Sequence, residues 1–449
     1  MNVILIVADN LKAAKLSCYG YFRDTTPNLD RLAEESVIFE DCIAQCAHTM
    51  PSFTTILTGQ DPFTHGVVGT LWCVPNAHNS ILDDETPMLA EVFRAAGHTT
   101  AAFDNLFSFA NRPKWFVRGN EWYVDVTAAF GRHHTTCLRD INVRLLPWLK
   151  DHAKEDLFLF IHPWDTHSGE PAEEFKTFFD HRSGDIEPHT YEASSGERYI
   201  KQCGRPDRLG EEGLDYHDRW DNQLRSLDHD LGRLFDTLSE TGLLDNSWLI
   251  ITADHGNDTR EHNSYGHREV YEESIRVPLI IRPPKGVGAD GPRRIDGLAT
   301  HTDLMPTILD LAGLECDRAT FDGQSLRSVL ENGGSIDRDA AFATGCYVQE
   351  GGLWKSCEIC VRTPEWKYIE RGAIPEGDYG KMDLIGMIVS ARGASEQERL
   401  QAFRMLPKRE LYDLRTDPEE LVNVCNEQPE VCSDLATRLD SRRRSQWFV

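Results

Sequence analysis

Val3-Ile4-Leu5-Ile6-Val7-Ala8-Asp9-Asn10 sets an apolar run directly before a carboxylate and an amide. A short continuous apolar run of this kind reads as a buried strand. Far downstream, Trp248-Leu249-Ile250-Ile251-Thr252-Ala253-Asp254-His255-Gly256 repeats the design, a strand that ends in Asp-His-Gly. In open α/β sheets, ligands bind outside the carboxyl ends of the strands. Asp9 and Asn10 at one end, with Asp254 and His255 at another, are therefore candidate ligands of one divalent cation. A third stretch is Ala47-His48-Thr49-Met50-Pro51-Ser52-Phe53-Thr54-Thr55-Ile56-Leu57-Thr58-Gly59. It reads as a helix with Gly59 just past its end as a C-cap. The hydroxyl of Thr49 then sits at the helix mouth, where backbone N–H groups point outward and favour anions. Such a hydroxyl suits attack on phosphorus or sulfur, and Thr49 is itself a further candidate ligand of the cation that would activate it.

Further pieces keep a fixed order with these. They are Ser17-Cys18-Tyr19-Gly20, Thr26-Pro27-Asn28-Leu29-Asp30-Arg31-Leu32-Ala33, Leu57-Thr58-Gly59 and Tyr271-Glu272-Glu273-Ser274-Ile275-Arg276-Val277-Pro278-Leu279-Ile280. Asp303-Leu304-Met305-Pro306-Thr307 and Glu410-Leu411-Tyr412-Asp413-Leu414 with Asp417-Pro418 close the set. Together they resemble the sulfatase-like branch of the alkaline phosphatase superfamily over nearly the whole chain. The resemblance implies an α/β fold with a mixed, mostly parallel sheet sandwiched by helices. It also implies a smaller C-terminal α+β subdomain. The boundaries expected here are 1–335 for the catalytic domain and 336–449 for the subdomain.

The departures from that pattern carry chemistry. A typical sulfatase has Cys or Ser, converted to formylglycine, at the position of Thr49, and Arg at the position of Phe53. Threonine is not expected to undergo that conversion, so the site resembles the threonine-nucleophile kind, associated with phosphodiester and phosphonate chemistry. The family's Gly-Lys-Trp-His stretch is absent, since Gly97–Asn105 contains no lysine. A further family lysine falls on or beside His267, which makes His267 and Arg268 the candidates for contact with a substrate oxygen. His167 falls at the family's histidine that contacts the transferred group or the leaving oxygen, a general-acid role. His162 is a weaker substrate-binding candidate, as is Asp165. With no clear third ligand near Asp165 and His167, one metal is expected rather than two. Carboxylate, amide and imidazole donors fit Mn²⁺, Mg²⁺, Ca²⁺ or Zn²⁺.

Composition narrows the class. The chain has 449 residues and a formal net charge of −26. That charge argues against nucleic-acid and anionic-membrane partners. An anionic substrate must then find local positive charge, which a bound cation supplies. The sequence begins in a strand with no charged n-region or long apolar h-region, so no signal peptide is expected and the location reads as cytoplasmic. The longest apolar runs are far too short to span a membrane. The 12 cysteines are then expected as free thiols, Cys357-Glu358-Ile359-Cys360 included.

Along the chain, residues 107–135 read as a surface insertion with packed aromatics, and 168–215 as a poorly periodic excursion over the site. His217–Gly242 reads as a helix with a core stripe at Leu224, Leu227, Leu231, Leu234 and Leu238. His262 reads as a loop histidine and His301 as structural. From about 335 the strands alternate as in an antiparallel sheet. The expected activity is metal-dependent hydrolysis of a small anionic ester, either a phosphodiester, a phosphonate monoester or a sulfate ester, through a covalent Thr49 intermediate. The rivals are a true sulfatase with an unmodified threonine, a transferase, and a non-catalytic binding protein on the same fold. A homo-oligomer is compatible with this reading.

Overall fold

The computed structural model describes the chain outside residues 69–80, 110–112, 128–135, 184–205, 260–261, 263–264, 267–268, 288–292, 317–319, 351–352, 373–381, 384–404 and 443–449. The strands in chain order are β1 (Asn2–Ala8), β2 (Val37–Ile43), β3 (Thr99–Phe103), β4 (Trp122–Val124), β5 (Leu157–Ile161) and β6 (Ser247–Ala253). There follow β7 (Asp258–Thr259), β8 (Tyr265–Gly266), β9 (Arg276–Arg282) and β10 (Arg293–Thr300). The last are β11 (Ala341–Glu350), β12 (Leu353–Arg362), β13 (Trp366–Arg371), β14 (Met382–Asp383) and β15 (Arg409–Asp413).

Eight of them form one sheet in the order β10-β2-β9-β6-β1-β5-β3-β4. β1 is central and parallel to β5 and β6, and β9 runs antiparallel to β2 and β6. β1, β5, β6 and β9 are buried along their whole length, which is why they read as unbroken apolar runs. Parallel pairing brings the carboxyl ends of β1, β3, β5 and β6 to one edge, so Asp9, Asp104, His162 and Asp254 all emerge there. The expected mostly parallel sheet is observed. Helices pack on it, among them Leu138–His152 and Leu304–Ala312. The helix expected from His217 is longer and starts at Pro206, ending at Glu240. Proline suits a first helical turn because its missing N–H has no partner to lose there. Leu224, Leu227, Leu231, Leu234 and Leu238 are buried as expected.

The second sheet, β14-β11-β12-β13-β15, is antiparallel. The closing helix Pro429–Arg442 packs on it through Leu435 and Leu439. The two sheets are stitched directly, since Thr344 N–H donates to Gln45 O at 2.9 Å. Between them lies a buried ionic layer. Lys367 meets Glu420 at 2.9 Å and Glu272 at 3.4 Å. Arg371 bridges Glu358 at 2.6 Å and Glu410 at 2.9 Å. One expectation about cysteine fails: Cys425 and Cys432 are paired in a disulfide between a loop and the first turn of the closing helix. Their six-residue spacing carries no recognisable disulfide pattern, so only the fold brings them together. Cys360 is a free thiol, as expected. Among the described residues, no helix is long and apolar enough to cross a membrane.

Candidate active site

The helix Thr49–Thr58 starts at the predicted place and ends at Gly59, whose φ of 70° is the left-handed C-cap geometry that glycine adopts without strain. All ten residues are buried, so packing leaves Thr49 one position, at the helix mouth beneath the strand ends. Its Oγ1 lies 3.4 Å from His255 Nε2. One turn along the helix, Ser52 Oγ donates to the Asp254 carbonyl at 2.5 Å and contacts His301 Nδ1 at 3.1 Å. His301 is therefore a structural support, as read from sequence.

Asp9, Asp254 and His255 bring their ligand atoms within 4.8 Å of one another, all in the dry interior. Asp254 Oδ1 accepts two backbone N–H groups, from Asn10 at 2.9 Å and His255 at 2.8 Å. Its other oxygen, both oxygens of Asp9 and the Asn10 side-chain oxygen are buried without a hydrogen-bond partner. Asn10 takes a φ of 67°, a left-handed turn that asparagine tolerates better than most residues. His255 Nδ1 faces the Gly256 carbonyl at 2.9 Å, which selects the tautomer with a lone pair on Nε2. Unpaired buried oxygens are costly. Burial and the facing Asp9 push the Asp254 carboxyl well above its ordinary value. Burial also opposes charge on Asp9, yet His167, His162 and His255 bring its carboxyl below the usual range. Burial drives His255 down to about 3, so it is a neutral donor. A divalent cation among Asp9, Asn10, Asp254 and His255 answers all of these demands, and the donor set fits it.

His167 is exposed on the short helix Asp165–Ser168, and its charge acts on both Asp9 and His255. His162 has no exposed surface and stands behind Asp9. Asp165 turns away, taking the Leu138 N–H at 2.7 Å as a cap for the helix Leu138–His152. Burial pushes its carboxyl up to about 7. His267 and Arg268 lie outside the described residues. His262 lies in the turn between β7 and β8, as read from sequence, and is half-buried there, bonded to Glu273 and the Glu420 carbonyl and stacked on Tyr271 at 3.9 Å. Trp115 and Phe116 of the aromatic stretch are core, and Trp115 Nε1 donates to Thr54 at 3.2 Å. Asp104 and Ser52 were missed. Asp104 ends β3 as Asp9 ends β1, so the rule that found Asp9 also finds it.

A sulfatase family pattern matches residues 1–314, most of the chain and every donor just described. The chain belongs to the sulfatase family. A second pattern of that family, the C-terminal region of N-sulphoglucosamine sulphohydrolase, matches residues 260–372. An N-acetylglucosamine-6-O-sulfatase of Bacteroides thetaiotaomicron is 24% identical, over 94% of this chain and 82% of its own length. Two solved structures share the fold. One is described as a complex with the substrate D-glucosamine-2-N,6-O-disulfate, with a TM-score of 0.68, 20% identity and coverage of 98% and 97% of the two chains. The other is the phosphonate monoester hydrolase of Agrobacterium radiobacter, with a TM-score of 0.67, 20% identity and coverage of 98% and 95%. Within the sulfatase family this chain is a hydrolase acting on sulfuric esters.

Proposed function

We propose that the chain is a metal-dependent hydrolase of small anionic esters that uses Thr49, unmodified, as its nucleophile. Sulfuric esters are the first substrate class, by family, and the sulfated amino sugars named for its relatives are the first candidates. The observation that carries the reading is the Thr49 hydroxyl at 3.4 Å from His255, beside buried oxygens that lack partners. A divalent ion held by Asp9, Asn10, Asp254 and His255 would lower the pKa of the adjacent hydroxyl and screen charge on the substrate oxygens. Thr49 Oγ1, its proton released to solvent, attacks the sulfur or phosphorus in line, and the ester oxygen leaves with a proton from His167, which regains one from the water that follows. His267 and Arg268 are proposed to bind a non-bridging oxygen. Water then releases the acid from threonine.

The second reading is a phosphonate monoester or phosphodiester substrate. The specific observations in its favour are Thr49 and Phe53 themselves, and the absence of lysine in Gly97–Asn105. An initial-rate panel on metal-stripped protein decides between the two. It would pair aryl sulfates, phosphate diesters and phosphonate monoesters with Mn²⁺, Mg²⁺, Ca²⁺ and Zn²⁺. Leading rates on sulfates establish the first reading, and leading rates on phosphorus esters establish the second. Stoichiometric metal binding without turnover on any ester would mean a binding protein.

A further inference from the structure

The segment His162–Thr166 wraps Asp9 on three sides. The Asp9 N–H donates to the Pro163 carbonyl at 2.9 Å, and Thr166 Oγ1 donates to the Asp9 carbonyl at 2.6 Å. His162 Nε2 lies 3.5 Å from Asp9 Oδ2. The far side of His162 is also held, with Nδ1 2.7 Å from Asp104 Oδ1. Asp104 is itself fixed. Its Oδ2 accepts the Tyr123 hydroxyl at 2.5 Å, and its Oδ1 accepts the Leu106 N–H at 3.0 Å. Two aromatic rings pack against the imidazole, Phe53 at 4.2 Å and Trp164 at 4.8 Å between ring centres. Trp164 is pinned in turn to Asn105 at 2.6 Å.

Phe53 stands where the resemblance places an arginine. Here its ring packs on His162, and this histidine, from the end of β5, stands 3.5 Å from the Asp9 carboxylate. We propose that Tyr123, Asp104 and His162 form a positioning chain for Asp9, fixing its carboxylate and thereby the affinity of the divalent cation. The proposal rests on the reading of Asp9, Asn10, Asp254 and His255 as the donor set. In this arrangement His162 acts through Asp9, with its other edge turned to Asp104. Partners one step beyond the ligands typically change metal affinity about 10–100-fold when removed.

The test is calorimetric titration of Mn²⁺ into the metal-stripped full-length chain. The variants are His162→Gln, Asp104→Asn, Tyr123→Phe and the His162→Gln/Asp104→Asn double, with exposed Glu121→Gln as control. His162→Gln and Asp104→Asn should each raise the Kd about 10–100-fold, and Tyr123→Phe less, at a near-wild-type apo melting temperature. The double variant should bind no more weakly than His162→Gln alone, because Asp104 works through His162. Saturating Mn²⁺ should restore turnover in Asp104→Asn. If His162→Gln does not fold, the near-isosteric Asp104→Asn and Tyr123→Phe decide alone. Wild-type Kd in those two variants, additive losses in the double, or a turnover defect that persists at saturation overturns the positioning chain while the donor set stands. A wild-type chain that binds no Mn²⁺ overturns both.

Discussion

At the scale of single residues, the site consists of side chains whose backbone is fixed before their chemistry begins. Thr49 is held by a fully buried helix, Asp254 by two amide N–H groups, and Asn10 by a left-handed turn. Thr49→Ala is expected to abolish turnover while leaving Mn²⁺ affinity within a few fold, since the remaining four donors stay in place. Thr49→Ser should retain measurable turnover because the hydroxyl persists. Steady-state rates alongside metal titration check both, and a wild-type rate in Thr49→Ala would remove it from the mechanism. Asp9, Asn10, Thr49, Asp254 and His255 were legible in the sequence because each ends a strand or starts a helix, positions with local signatures. The place of His162 was not. It depends on contacts with Phe53 and Asp104, which are remote in sequence, and no local pattern records them.

At the scale of elements, apolar continuity made β1, β5, β6 and β9 readable. β10 escaped because it is an edge strand interrupted by Arg293, Arg294, Asp296 and Gly297, with a register shift between Ile295 and Leu298. The hairpin β7–β8 hid a different feature. His262 lies between its strands, and its partners Glu273 and Glu420 are 11 and 158 residues away. Burial opposes protonation there, but Glu273, Asp258 and Glu420 outweigh it and raise the imidazole to about 10. A folded-state pKa above the unfolded value of about 6.5 stabilises the fold fully below about pH 6.5. That contribution is lost as pH rises towards about 10. Melting temperatures should therefore fall over this window in the wild type. The decline should be shallower in His262→Gln, which has no proton to lose, and parallel curves would place the ion pair in the unfolded chain as well.

At the scale of the whole molecule, the two sheets meet through buried charges as well as an apolar cluster in which Ile43 and Leu298 face Ala341, Ala343 and Cys360. Lys367 is fully buried against Glu272 and Glu420, so removing it leaves Glu420 without its cation and Glu272 with Arg362 alone, at 3.5 Å. Breaking a buried pair typically costs about 3–5 kcal/mol. Lys367→Met is expected to lose that much in urea denaturation, with the slope unchanged. A loss below about 1 kcal/mol would mean that water reaches the pair.

The sheet order also sets a timetable for synthesis. β1 leaves the ribosome early, yet it is the middle strand, and its neighbours are drawn from residues 157–161 and 247–253. The amide of Asn10 bonds a side chain 244 residues later. At about 5–20 residues per second of translation, the half-site waits on the order of 10–50 s for its other half. During that interval Val3–Ala8 is a bare, sticky segment of nascent chain.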